Sequence, residues 1–179
     1  GVVPDRFRAG ETAAQTATAW FTREHPVLLA VGRLAVTAGL DEPTWQLAWS
    51  CYYHLSLQGH WHDNVALQHQ GLAAVDRTGP ASIRATIRCD LANTYAKLGQ
   101  WGEADRYFGQ AVERYAELGD LDGLAWTRCL MAWTAEQRGR HQEALDQLTR
   151  ALEVFRTTGE ERGEATALNG AGWCCVLLG

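Results

Sequence analysis

Glycine recurs at positions 39, 59, 79, 99, 119, 139, 159 and 179, a constant interval of twenty residues. A glycine at the end of a helix takes the left-handed backbone without steric cost, so a regular comb of them predicts helix after helix of one length, each closed by a tight corner. Two such helices make a forty-residue unit. Units of that period belong to architectures in which each stacks on its neighbours, and the chain has room for about four or five of them.

Composition agrees with helix throughout. Isoleucine occurs only at Ile83 and Ile87, whereas alanine, leucine, glutamate, glutamine and arginine abound; these lose little side-chain freedom in a helix. With 46% hydrophobic and 21% charged residues the chain can fill a core. A net charge of -5 with scattered basic residues argues against direct nucleic-acid binding, which needs a basic stripe to displace counterions from phosphate. No apolar run approaches the roughly 18 residues of a membrane span. The cysteines, Cys51, Cys89, Cys129, Cys174 and Cys175, are odd in number and include no C-x-x-C pair. They read as small buried side chains in a reducing, cytoplasmic setting.

The chain is read as one domain, 1–179, that is a segment of a longer protein, since it opens on Gly1 without Met and stops half-way through a unit. After a frayed start at Gly1–Arg8, a helix is expected from about Ala9 to Arg23, and a second from His25 to Ala38 with Pro26 in its first turn, where no amide hydrogen is needed. That N-terminal pair, 9–39, is followed by full repeats at 43–79, 81–119 and 121–159 and a half repeat at 161–179. Asp41, Asp120 and Glu160 follow corner glycines, where the helix dipole favours negative charge.

Aligning the units puts Leu91 over Met131 and Ala171, Ala92 over Ala132 and Gly172, Ala104 over Ala144, Phe108 over Leu148 and Ala111 over Ala151. Small residues recur where helices cross closely and large ones where they fill the groove between. The first repeat departs from this, with Asn64, Gln68 and Gly71 in place of Ala104, Phe108 and Ala111. Its second helix is expected to pack through Val65, Leu72 and Val75, and to be rotated or to form a less regular pair. The last helix is apolar at Ala165, Leu168, Ala171, Cys175 and Leu178 and is a candidate homodimer contact.

The stretch Leu91 to Ala111 carries Leu91, Ala92, Tyr95, Ala104, Phe108 and Ala111 at the spacing of a tetratricopeptide helix-turn-helix, with Gly99 and Trp101 at its corner. The expected fold is all-α, a right-handed tetratricopeptide superhelix (an α-solenoid) of about nine antiparallel helices. Further matching text is Ala19-Trp20-Phe21-x-x-Glu24-x-x-x-Leu28, Gly59-x-Trp61-x-Asp63, Leu72-Ala73-Ala74 and the repeated Glu-Ala of 103–104 and 143–144. With these the whole chain resembles the C-terminal repeat region of the large SARP or AfsR-like antibiotic-regulatory proteins of actinobacteria. Those place a DNA-binding module first, then a nucleotide-binding ATPase, then helical repeats. The resemblance implies a non-catalytic sensor or docking arm whose contacts bias the nucleotide-dependent state of the parent. Its partner would be a protein or peptide, the parent's own ATPase domain included. The chain itself has no G-x-x-x-x-G-K-[ST] loop to cradle phosphates, and no cofactor is expected.

Tetratricopeptide ligands usually lie in the groove lined by the first helix of each pair. Carrying that register over gives Trp49 and Tyr53 in the first repeat; Cys89, Asn93 and Lys97 in the second; Trp126, Cys129, Trp133 and Gln137 in the third; Asn169 and Trp173 in the fourth. Aromatic rings beside Asn and Lys suit an extended peptide or a helix; a metabolite enclosed between the same rings, or a purely structural arm, are the alternatives. Asn93 and Lys97 share a helix face in the manner of a carboxylate clamp, but Cys89 stands where such a clamp has Lys or Arg. His60, His62, Asp63 and His69 form the only metal-like cluster. Alternate residues diverge once a helix begins and a specific site needs three convergent ligands, so a solvated corner and no metal is the expectation. No nucleophile, base and orienting group stand in recognisable spacing, and an enzyme is not expected.

Overall fold

A computed structural model describes residues 13–179. These form eight helices: α1 (Ala13–Thr37), α2 (Asp41–Leu57), α3 (Trp61–Thr78), α4 (Ala81–Lys97), α5 (Trp101–Leu118), α6 (Leu121–Gln137), α7 (His141–Thr158) and α8 (Glu161–Leu178). Helices α2 and α3, α4 and α5, and α6 and α7 pack as antiparallel pairs, and the pairs stack in chain order. From α2 onward the even-numbered helices also touch one another, α2 to α4, α4 to α6 and α6 to α8, whereas α3, α5 and α7 do not. The stack is therefore curved, with the even helices crowded along its inner face.

The corners follow from the glycine comb. At Gly99, with φ 69°, the Gly99 amide donates to the Ala96 carbonyl at 3.0 Å and the Gln100 amide to the Tyr95 carbonyl at 2.9 Å. This is the paired bonding of a Schellman motif. Gly79 is the exception: it is extended, at φ -90° and ψ 167°. Pro80 follows it, and the proline ring drives the preceding residue out of helical and into extended backbone. Asp120 and Glu160 accept the amides of Gly123 and Gly163 as N-caps.

The core repeats with the register. Leu91, Ala92, Ala104, Phe108 and Ala111 are buried between α4 and α5, as are Ala132, Ala144, Leu148 and Ala151 one unit on. Burying Phe108 or Phe155 contributes about 1.5–3 kcal/mol each. Ion pairs bridge successive helices on the outside, Arg88 to Asp76 at 3.0 Å and Arg138 to Asp105 at 2.9 Å.

Two expectations are corrected here. Pro26 does not divide two helices, because α1 runs through it, which leaves eight helices among the described residues where about nine are expected. Pro26 is exposed, so water can meet the carbonyl that its missing amide leaves unbonded. The expected frayed start at 1–8 and the helix start at Ala9 lie outside the described residues. Nor is α3 rotated. Asn64, Gln68 and Gly71 are buried in the positions of Ala104, Phe108 and Ala111. Gln68 replaces a ring by donating to the Ala48 carbonyl at 2.8 Å, and Gly71 lets α3 approach so closely that a Cβ would stand 2.4 Å from that of Ala48.

Candidate functional site

The inner face is built from one residue per turn of each even helix. On α2, Trp49 and Tyr53 are 49% and 70% exposed, with no helix of the stack over them. On α4, Asn93 is half-buried and Lys97 exposed; on α6, Trp133 is half-buried and Gln137 exposed; on α8, Asn169 and Trp173 are exposed. The structure thus brings Trp49, Tyr53, Asn93, Lys97, Trp133, Gln137 and Trp173 to one continuous face.

Trp126 leaves that set as a correction. Its ring packs edge-on against Phe155, centroids 5.2 Å apart, within the core of α6 to α8. Cys89 is likewise buried, with the Thr127 hydroxyl donating to its Sγ at 3.5 Å, and burial pushes its thiol up to about 12. A helix position that faces a groove at the open end faces a neighbouring helix in mid-stack. Cys129 is half-buried with its thiol raised to about 11, so neither is a ready thiolate.

The groove residues of neighbouring repeats are clasped together. Asn93 Nδ2 donates to the Tyr52 hydroxyl at 2.8 Å. The Lys97 ammonium sits 3.5 Å over the Trp133 ring, a cation–π contact, and desolvation there lowers its pKa. Trp173 Nε1 donates to Glu136 at 3.0 Å. Each even helix from α4 to α8 therefore has its groove residue held by the helix one repeat earlier. Behind Asn93, Asp90 is buried and burial raises its carboxyl well above the ordinary range. Tyr52, Glu136 and Asp90 were not among the sequence candidates. A separation of 36 or 37 residues, one turn short of a repeat, marks Lys97 with Trp133 and Glu136 with Trp173, and would have found Glu136; Tyr52 lies 41 residues from Asn93, and Asp90 carries no such signal.

The clamp and the histidine cluster fare differently. Cys89 does supply no charge beside Asn93 and Lys97. His69 is taken by the Tyr95 hydroxyl at 2.7 Å, on a stack of Tyr95 and Tyr107, and His62 is exposed, apart from His60 and Asp63.

Residues 83–157 match the family model of the tetratricopeptide repeat. Over this stretch, under half of the chain, the sequence is similar to the tetratricopeptide repeat family. No curated protein matches the chain. Among solved structures, the crystal structure of BtubC (BKLC) from P. vanneervenii is similar, with a TM-score of 0.65 and 19% identity over 92% of this chain. The chain spans 66% of that protein's chain, just under two thirds. At this identity the likeness is one of fold, and it extends the tetratricopeptide-like solenoid beyond residues 83–157 to most of the described helices. Tetratricopeptide domains are generally non-catalytic scaffolds for protein–protein interaction. Among the described residues no helix is long and apolar enough to cross a membrane.

Proposed function

We propose that the inner face of α2, α4, α6 and α8 docks a protein or peptide segment, and that Trp49, Tyr53, Lys97, Gln137 and Trp173 make the contacts. The observation that carries this is the continuous run of exposed aromatic and polar side chains along one curved face. Trp49 and Tyr53 are large, rigid and unclasped, the kind of side chain that dominates interface energetics. An enclosed metabolite is less well served: the crevice beside Asp41, Trp45 and Pro80 holds about 520 Å³ but takes in none of the groove residues, and the groove itself is open.

The resemblance to SARP-type regulators extends the proposal to a sensor arm. A partner, or the parent's own ATPase domain, would contact the groove better in one nucleotide state than in the other, and only that difference shifts the switch.

The test is calorimetric titration of the chain with the ATPase segment of its parent in ATP- and ADP-bound forms. Binding that differs between the two forms and weakens at least tenfold in Trp49→Ala/Tyr53→Ala is the expected result. Binding equal in both forms removes the switch, and binding untouched by those substitutions removes the groove.

A further inference from the structure

Away from the groove, three side chains converge where α1 crosses the corner between α2 and α3. One donor atom each of His25, His60 and Asp63 lies within 4.8 Å of the other two. His60 and Asp63 stand together at the start of α3, and α1 supplies a third donor from 35 residues upstream of His60.

The contact between His25 and Asp63 is informative. His25 Nε2 is 3.1 Å from Asp63 Oδ2, yet this buried nitrogen makes no hydrogen bond. An ordinary His–Asp pair aligns its N–H on the carboxylate. Two atoms that stand close without pointing at each other leave their lone pairs free for a third body between them. Bonds of about 2.0–2.1 Å put adjacent tetrahedral ligands roughly 3.3 Å apart, close to the separation seen. The His60 ring lies beside that of His25, centroids 4.2 Å apart and tilted 51°, so the two imidazoles meet the same space from different directions.

A second observation stands next to it. His54 is 8% exposed and its Nε2 has no hydrogen-bond partner. Its ring stacks on Phe21 at 4.9 Å. Three imidazoles thus share one corner.

We propose that His25, His60 and Asp63 bind a divalent first-row cation of the zinc class, with water completing its coordination. Two imidazoles and one carboxylate suit zinc, nickel or cobalt; calcium and magnesium prefer all-oxygen sets. The ion would tie α1 to the start of α3 in the first repeat through one centre. Because it binds the folded corner and not the unfolded chain, it would raise stability by mass action.

The test takes the chain stripped with chelator and titrates zinc by calorimetry and cobalt by visible absorption. One equivalent should bind, with nitrogen and oxygen ligands only, and a hundredfold excess over Kd should raise Tm by about 5 °C or more. His60→Ala and Asp63→Asn, which lie at the surface end of the cluster, should each weaken binding at least tenfold, while His62→Ala should leave it unchanged. Absence of saturable binding overturns the proposal, as does binding that survives both substitutions. A cobalt–thiolate charge-transfer band that disappears in Cys175→Ser assigns the ion to the exposed thiol and overturns it equally.

Discussion

The same substitution should have opposite signs at two glycines of neighbouring repeats. Gly71 lies mid-way along α3 and Gly109 mid-way along α5. Replacing either by alanine removes the entropy penalty of glycine in a helix and gains about 0.5–1 kcal/mol. At Gly109 nothing lies within 4 Å of the new Cβ, so that gain stands alone. At Gly71 the Cβ would be 2.4 Å from Ala48 Cβ, 3.5 Å from Ile87 Cδ1 and 3.6 Å from Trp45 Cα. Carbon atoms prefer about 3.5–4.0 Å, and Ala48 has no rotamer by which to retreat, so α3 must shift from α2 and stretch the Gln68 bond to the Ala48 carbonyl. Overpacking of this kind costs about 1–3 kcal/mol. Gly71→Ala is thus expected to be destabilised by up to about 2 kcal/mol after the propensity gain. Gly109→Ala is expected to be stabilised, so that their melting temperatures separate by about 3–12 °C. Circular dichroism melts of both variants decide it. A Gly71→Ala protein that melts with or above Gly109→Ala refutes the close crossing, and with it the unrotated register of α3.

Other consequences can be measured in the same background. In a double-mutant cycle, Lys97→Met and Trp133→Leu should couple by about 0.5–2 kcal/mol in urea denaturation; additive effects would remove the clasp between α4 and α6. The Asp90 carboxyl has its folded pKa raised by burial, so the folded state keeps a proton that the unfolded chain has lost. Its ionisation therefore erodes stability as pH rises above 3.8 through the folded value. Asp90→Asn should match the parent near pH 3 and exceed it at pH 7 by at least about 1 kcal/mol, and equal urea midpoints at both pH values would contradict this. His54 has its pKa lowered by burial, so stability should fall as pH drops below 6.5, where the unfolded chain binds the proton first. His54→Gln should flatten that fall, and an unchanged slope would argue against a buried neutral ring.

How much was legible in the sequence depends on whether a feature repeats. The glycine comb and the recurrence of Ala104, Phe108 and Ala111 give helix lengths, corners and core positions, because each is seen more than once and stacking demands the same geometry every time. Departures occur at single events. Pro26 reads as a break because a proline removes a helical bond, and only its exposure makes the bond dispensable. Gly79 reads like its fellows, and only Pro80 makes it extended. Gln68 reads as a misfit in an apolar position until the Ala48 carbonyl is found beside it. At the inner face, the register predicts which residues point inward but not how crowded each turn is, so Trp49 and Trp126 look alike on paper. The convergence of His25 with His60 and Asp63 has no periodic signature, since α1 stands outside the forty-residue repeat.

The clasps along the inner face carry a mechanical consequence. Lys97 belongs to α4 yet rests on α6, and Glu136 belongs to α6 yet grips α8. A guest that competes for the Lys97 ammonium or the Trp173 indole loosens the joint between two rungs, and one that spans them draws the rungs together. Occupancy and curvature then become a single variable. Bending the spring at one end changes how well it grips at the other, and a load can be felt along its whole length without any one helix unfolding.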